Sequence, residues 1–192
     1  MLTLLLMAAA SAPARAQADS SYQVEITATS SPMVNFFRLP RVPGSTSTVC
    51  LGYGMTGRAL WHPGRLLSIG LVSGYYILAV DEIPVLSSAS NATYAARLAA
   101  VPLQFAITMR KQGLEIGLEL GPYLMLTTIS GGRSAPAHAS RLELGMTIFG
   151  SYLFPLSDDF QCGPELRVVD LRYRGIVCVM PSFSVRMISL RY

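Results

Sequence analysis

Residues 110–123 read Arg-Lys-Gln-Gly-Leu-Glu-Ile-Gly-Leu-Glu-Leu-Gly-Pro-Tyr. Side chains of a strand alternate between its faces. As a strand, this stretch puts Leu114, Ile116, Leu118 and Leu120 on one face, and Glu115, Gly117, Glu119 and Gly121 on the other. One face is aliphatic and the other carries two carboxylates and two glycines. A soluble sheet would turn the aliphatic face into its core. A membrane barrel would turn it toward lipid and keep the acids inside. The rest of the chain decides between these.

Composition favours the second. The chain has 192 residues, 51% of them hydrophobic and 14% charged, against about 25% charged in a soluble domain. Mean hydropathy is +0.42. No uninterrupted apolar run reaches the ~20 residues that a membrane helix requires. A membrane-like composition without such a helix fits strands that are each half apolar. The net charge of +4 is too mild to imply nucleic acid.

Leu2 to Ala10 forms a short apolar run, followed by the small-x-small sites Ala14-Arg15-Ala16 and Ala16-Gln17-Ala18. This resembles a Sec signal peptide over residues 1–18, with one domain over 19–192. The segment departs from that pattern in having no Lys or Arg before its apolar run.

Alternating stretches recur along the chain. Tyr22, Val24 and Ile26 begin a first strand, Val49, Leu51, Tyr53 and Met55 a second, and Leu67, Ile69 and Leu71 a third. Val101, Leu103, Phe105, Ile107 and Met109 form a fourth, ahead of the stretch at 114–121. Leu142, Leu144, Met146 and Ile148 form a sixth, Leu166 and Val168 belong to a seventh, and Val177 to Tyr192 is the eighth. Broken alternation near Val169-Asp170 predicts a bulge, and Pro181 an irregularity in the last strand. The spacing Leu67-x-Ile-Gly-x-x-x-Gly74-x-Tyr76 repeats as Leu114-x-Ile-Gly-x-x-x-Gly121-x-Tyr123, and Leu142-x-Leu-Gly145 begins a third copy.

Connections near 31–45, 80–96 and 130–140 read as long, with a shorter one near 174. Those near 63, 111 and 157 read as short turns. Short turns at one end and longer loops at the other are the habit of transmembrane barrels. With Pro63-Gly64-Arg65 as one turn, Arg58 faces Gly70. With Lys111-Gln112 as another, Thr108 faces Glu115 and Gln104 faces Glu119. Trp61, Phe154 and Tyr192 then fall at the short-turn ends, and Tyr75 and Tyr123 toward the long loops, as interfacial aromatics would.

The polar face supports the same reading. Gly52, Gly54, Gly70, Gly74, Gly117, Gly121, Gly145 and Gly163 share it with Arg58, Glu115, Glu119, Glu143, Glu165 and Arg167. An eight-stranded barrel has room inside only for side chains, so small residues beside opposed charges would fill it. Burying those acids against aliphatics in a dry core would be costly. The fold expected is all-β: an eight-stranded antiparallel up-and-down transmembrane β-barrel.

On the leader, strand rhythm, loop alternation and C-terminus, residues 22–192 resemble the small eight-stranded outer-membrane β-barrel proteins of Gram-negative bacteria. Ile188, Leu190 and Tyr192 match the family's terminal aromatic with apolar residues at alternate positions before it. The resemblance implies that the outer-membrane assembly machinery reads this strand. Arg186 departs from the pattern, while Phe183, Val185 and Met187 carry the apolar face in the other phase. A bulge near Met187 would reconcile them. The resemblance further implies a bacterial outer-membrane location, a monomer, and lipopolysaccharide and lipid as partners. Arg38, Arg41, Arg133, Arg172 and Arg174 are candidate contacts to lipopolysaccharide phosphates.

The charges Arg58, Glu115, Glu119, Glu143, Glu165, Arg167 and Arg186 are the candidate site, read as a salt-bridge network that plugs the lumen. The alternative is a narrow ion-conducting path. A third reading, a secreted lipocalin-like barrel for an apolar ligand, requires Leu114, Ile116 and Leu118 to point inward. No catalytic residue, cofactor or metal site is assigned. His138 with Ser134 or Ser140 leaves open a lipid A-modifying activity, but no acid lies nearby in sequence to orient the base. Cys50, Cys162 and Cys178 read as small fillers, with a Cys50–Cys178 disulfide as the alternative.

Overall fold

The computed structural model describes residues 23–37, 49–63, 66–87, 90–131, 136–171 and 175–191. The leader at 1–18, Tyr192, Ser134 and the loop arginines Arg38, Arg41, Arg133, Arg172 and Arg174 lie outside these residues.

The strands are β1 (Gln23–Phe37), β2 (Val49–His62), β3 (Leu67–Ser87), β4 (Ser90–Lys111), β5 (Leu114–Gly131), β6 (Ala137–Tyr152), β7 (Phe154–Pro155), β8 (Phe160–Leu171) and β9 (Ile176–Arg191). The two residues of β7 resume β6 after a break at Leu153, whose N–H donates to Gly113 O at 2.9 Å. Eight long strands therefore make the wall. Each is antiparallel to its chain neighbour, β6 pairs with β8, and β1 pairs with β9. The sheet closes on itself as an all-β, up-and-down, eight-stranded barrel.

Alternation sets inside from outside. Along β1 the inward residues Glu25, Thr27, Thr29 and Ser31 are buried, while Ile26, Ala28 and Ser30 are exposed. In β5, Glu115 and Glu119 are fully buried, whereas Leu114 and Ile116 are 53% and 54% exposed. That orientation removes the lipocalin-like reading, which needs those aliphatic side chains inside. Leu51, Leu71, Leu103, Phe105, Leu144, Ile148, Leu166 and Phe183 continue the apolar surface around the wall. A water-soluble monomer rarely exposes a contiguous patch of this kind; lipid accommodates it. Trp61 and Phe154 stand exposed at the short-turn end and Tyr75 toward the other.

Several local expectations change. The turn after β4 is Gln112-Gly113, with φ of 52° and 84°. Positive φ at both central residues is what a tight hairpin of this twist requires. The register moves accordingly: Thr108 faces Gly117, Ala106 faces Glu119, and Arg110 faces Glu115. In the preceding hairpin Arg58 faces Val72, and it is Leu60 that faces Gly70. Both differences are of two residues, so every side chain keeps its face.

Residues 80–96 are not a long loop. β3 and β4 run to Ser87 and Ser90 as one extended hairpin. A strand that continues past the lipid no longer needs an apolar face, so its alternation fades. No bulge occurs at Val169-Asp170, where β8 stays in register with both β6 and β9. Val169 is apolar and buried because the lumen itself is apolar at that height.

Tyr123 is no interfacial anchor. The phase of Glu119 and Gly121 carries it inward, and it is fully buried. At the β1–β9 seam, Pro32 and Pro181 lie opposite each other, and the ladder is interrupted between Ser30↔Phe183 and Val34↔Val179. Neither proline has an N–H to give. The seam's register shift sits at Val24/Glu25, which face Leu190 and Ile188. It leaves Ser189 as the extra residue, two positions beyond Met187.

Candidate functional site: the barrel lumen

The lumen has two layers. Toward the short turns lie charged and hydroxylated side chains. Toward the long loops lies an apolar cluster that includes Met33, Tyr76, Leu78, Tyr123, Met125, Val169, Leu171, Cys178 and Met180.

The charged layer divides into two linked groups. In the first, Arg58 from β2 pairs with Glu165 from β8, and its Nη1 is 3.7 Å from Glu119 Oε1. Arg167 from β8 pairs with Glu119 from β5 and holds Glu165 Oε1 at 3.0 Å. Two guanidinium groups thus bridge two carboxylates. Arg167 Nη1 also donates to Thr56 Oγ1 at 3.2 Å, and Ser184 Oγ donates to Glu165 Oε2 at 2.8 Å. The Phe149 ring lies beneath both cations, 4.0 Å from Arg58 Cζ and 5.6 Å from Arg167 Cζ. The negative face of an aromatic ring attracts such cations, more strongly where water is excluded.

The second group centres on Glu25, near the mouth. Arg110 donates to both its oxygens, at 2.8 and 3.1 Å. His62 Nε2 lies 2.8 Å from Oε2 and Arg186 Nε lies 3.2 Å from it. The hydroxyl of Ser68 meets His62 Nδ1, and Arg186 also pairs with Glu115. Four strands, β1, β2, β4 and β9, therefore converge on one carboxylate. The two groups together hold four arginines and four glutamates, so their formal charge balances.

Glycines make space for the rings. A Cβ at Gly117 would run into Phe149, its direct partner across the β5–β6 ladder. One at Gly54 would lie 2.6 Å from Tyr76, and one at Gly145 would lie 2.7 Å from Tyr123. The repeated Gly-x-Tyr spacing thus delivers two tyrosines to one level of the lumen, with ring centroids 6.3 Å apart. The Tyr123 hydroxyl donates to Gln104 Oε1 at 3.0 Å and lies 2.8 Å from Thr147 Oγ1.

All seven charges named from sequence are buried on the inner face. Arg58, Glu119, Glu165 and Arg167 form one group, and Glu115 and Arg186 join the other. Glu143 lies farther up β6, where Arg141 Nε is 3.7 Å from its Oε1. Sequence reading missed Glu25, His62, Ser68, Arg110 and Phe149, and it put Gln104 on the inner face beside Glu119, two residues out of register. Glu25 carried a readable signal, alternating with Val24 and Ile26, but nothing local pairs it with Arg110, 85 positions away. The cysteines are free. Cys50 and Cys178 flank Asn35 on opposite sides of β1. Two strand spacings, about 10 Å, exceed the ~7 Å limit for bridging. His138 Nδ1 lies 3.3 Å from Thr128 Oγ1.

No family model matches the sequence, and no curated protein matches it. Solved structures do match in shape. A major outer membrane protein from Thermus thermophilus aligns with a TM-score of 0.51 at 11% identity, over 88% of this chain and 99% of its own. The fold is that of the small eight-stranded outer-membrane β-barrels. Neisserial surface protein A aligns over 88% of this barrel and 99% of its own chain, at 9% identity and a TM-score of 0.49. The attachment invasion locus protein of Yersinia pestis covers 87% and 98%, at 12% identity and 0.43. The barrel's apolar outer wall and the charged layer inside it agree with a membrane-spanning member of this fold.

Proposed function

We propose that the protein is a monomeric, non-enzymatic barrel of the bacterial outer membrane with a structural or surface-interaction role, its lumen closed by its own side chains. The observation that carries this is the cross-lumen pairing. Arg58 and Glu165 come from strands three apart around the wall, as do Arg110 and Glu25, so their pairs span the interior. An ion entering the charged layer would have to separate buried pairs, and above them it would meet Met33, Tyr76, Tyr123 and Met180. Equal numbers of arginine and glutamate give it no selective attraction for either sign. The long-loop end then serves as the exposed surface, lipopolysaccharide and lipid surround the wall, and the assembly machinery reads Ile188, Leu190 and Tyr192.

Planar-bilayer recording tests this. The refolded protein, identified by its heat-dependent gel mobility, is expected to leave the membrane current at baseline. Reproducible unitary steps from the unmodified protein would instead make it a small channel.

A further inference from the structure

The outer wall is not smooth. A depression of about 650 Å³ crosses β1 to β5. Gly57, Ala59 and Ser73 line it with small side chains, between the larger Leu71, Leu103 and Phe105. Gly57 faces Ser73 and Ser73 faces Leu103 across adjacent ladders. A Cβ added at Gly57 would meet nothing within 4 Å, so this part of the wall is open to whatever surrounds it.

A cation stands above the depression on the same strands. Tyr75 is exposed two residues along β3 from Ser73, and exposed Arg97 is six residues along β4 from Leu103. The Arg97 guanidinium leans down over the Tyr75 ring, 5.8 Å from its centroid. The outward row Val101, Leu124, Leu142 is apolar, whereas the row Val80, Arg97, Thr128, His138 is polar at three of its four positions. The lipid–water boundary falls between these rows. Six residues span about 20 Å along a strand. With a tilt near 40°, that places Leu103 about 15 Å below Arg97, within reach of an acyl chain that extends toward the middle of the ~30 Å hydrocarbon core.

We infer that this wall binds one phosphate-bearing, acylated lipid of the outer leaflet. The phosphate sits on Arg97, and an acyl chain passes Tyr75 into the depression beside Gly57 and Ser73. Guanidinium and phosphate match in charge and in paired hydrogen-bond geometry. The small residues let the chain approach the backbone more closely than the leucine-covered wall elsewhere allows. This site depends on the barrel lying in the outer membrane with its long loops outward, and not on whether the lumen is closed.

Native mass spectrometry of the refolded protein in detergent tests it, with three probes: bisphosphorylated lipid A, the same lipid stripped of phosphate, and inorganic phosphate. One lipid A is expected to remain bound. Removing its phosphates, or introducing Arg97→Gln, should weaken retention about ten-fold, the scale of one charge-assisted hydrogen bond. Gly57→Phe fills the depression and should weaken retention comparably with Arg97 intact; Ala59→Leu is a second variant for the same purpose. Heat-dependent gel mobility identifies the variants that fold. Equal retention of dephosphorylated lipid would overturn the assignment, as would unchanged retention in folded Arg97→Gln or in a folded variant with the depression filled. Binding of inorganic phosphate as tight as that of lipid A would overturn it too, by leaving no role for the acyl chain.

Discussion

The two layers of the lumen solve one packing problem with opposite chemistry. Both are built from inward positions of the same alternating strands. Near the short turns, Arg58, Arg167, Glu119 and Glu165 fill the space and satisfy one another across it. Toward the long loops, Met33, Tyr76, Tyr123 and Met180 fill it by volume. The charged layer tolerates burial only as a set, because a lone charge left in a low-dielectric interior is expensive. The apolar layer has no such obligation, and its residues should act almost independently.

The largest expected effect follows from breaking that set. Arg167→Met leaves Arg58 as the one cation between Glu119 and Glu165, so one buried carboxylate loses its counter-charge, and should cost about 3–5 kcal/mol, read from denaturant-induced unfolding in lipid vesicles. Neutralising one acid as well, with Glu119→Gln, should recover much of that loss, since it leaves the Arg58–Glu165 pair intact and no charge stranded. Phe149→Ala comes next, at about 3 kcal/mol, because it removes the ring beneath both guanidinium groups and opens space over Gly117. Met125→Ala in the apolar layer should cost about 2–3 kcal/mol, and the cost should be insensitive to mutations in the charged layer. The smallest pair compares the two tyrosines. Tyr123→Phe removes the bonds to Gln104 and Thr147 and should cost about 1 kcal/mol. Tyr76→Phe should be neutral or slightly stabilising, because the Tyr76 hydroxyl is buried with no hydrogen-bond partner among the described residues. Thermal melts of the two variants, followed by the gel shift, would separate them.

Much of this division was legible in the chain, but unevenly. Alternation at Leu114–Gly121 determines which side faces lipid, because the period-two rule is local. The two-residue register differences at Arg58 and Thr108 escaped that rule, since a shift of two preserves faces and changes only partners. Val169 read as a bulge and Tyr123 as an interfacial anchor for one reason: an apolar lumen layer makes inward and outward positions look alike. Residues 80–96 read as a loop because strands beyond the lipid lose their pattern. The charged pairs could be nominated one by one but not matched. Arg58 and Glu165 are 107 positions apart, and closure of the barrel is what brings them together.

That pair also offers the most direct test. Arg58 and Glu165 stand on strands three apart, so they can couple only through the lumen. A double-mutant cycle with Arg58→Met and Glu165→Gln, measured by equilibrium unfolding in lipid vesicles, should give a coupling of about 2 kcal/mol or more. Additivity within about 0.3–0.5 kcal/mol would contradict a lumen held closed by its own charges.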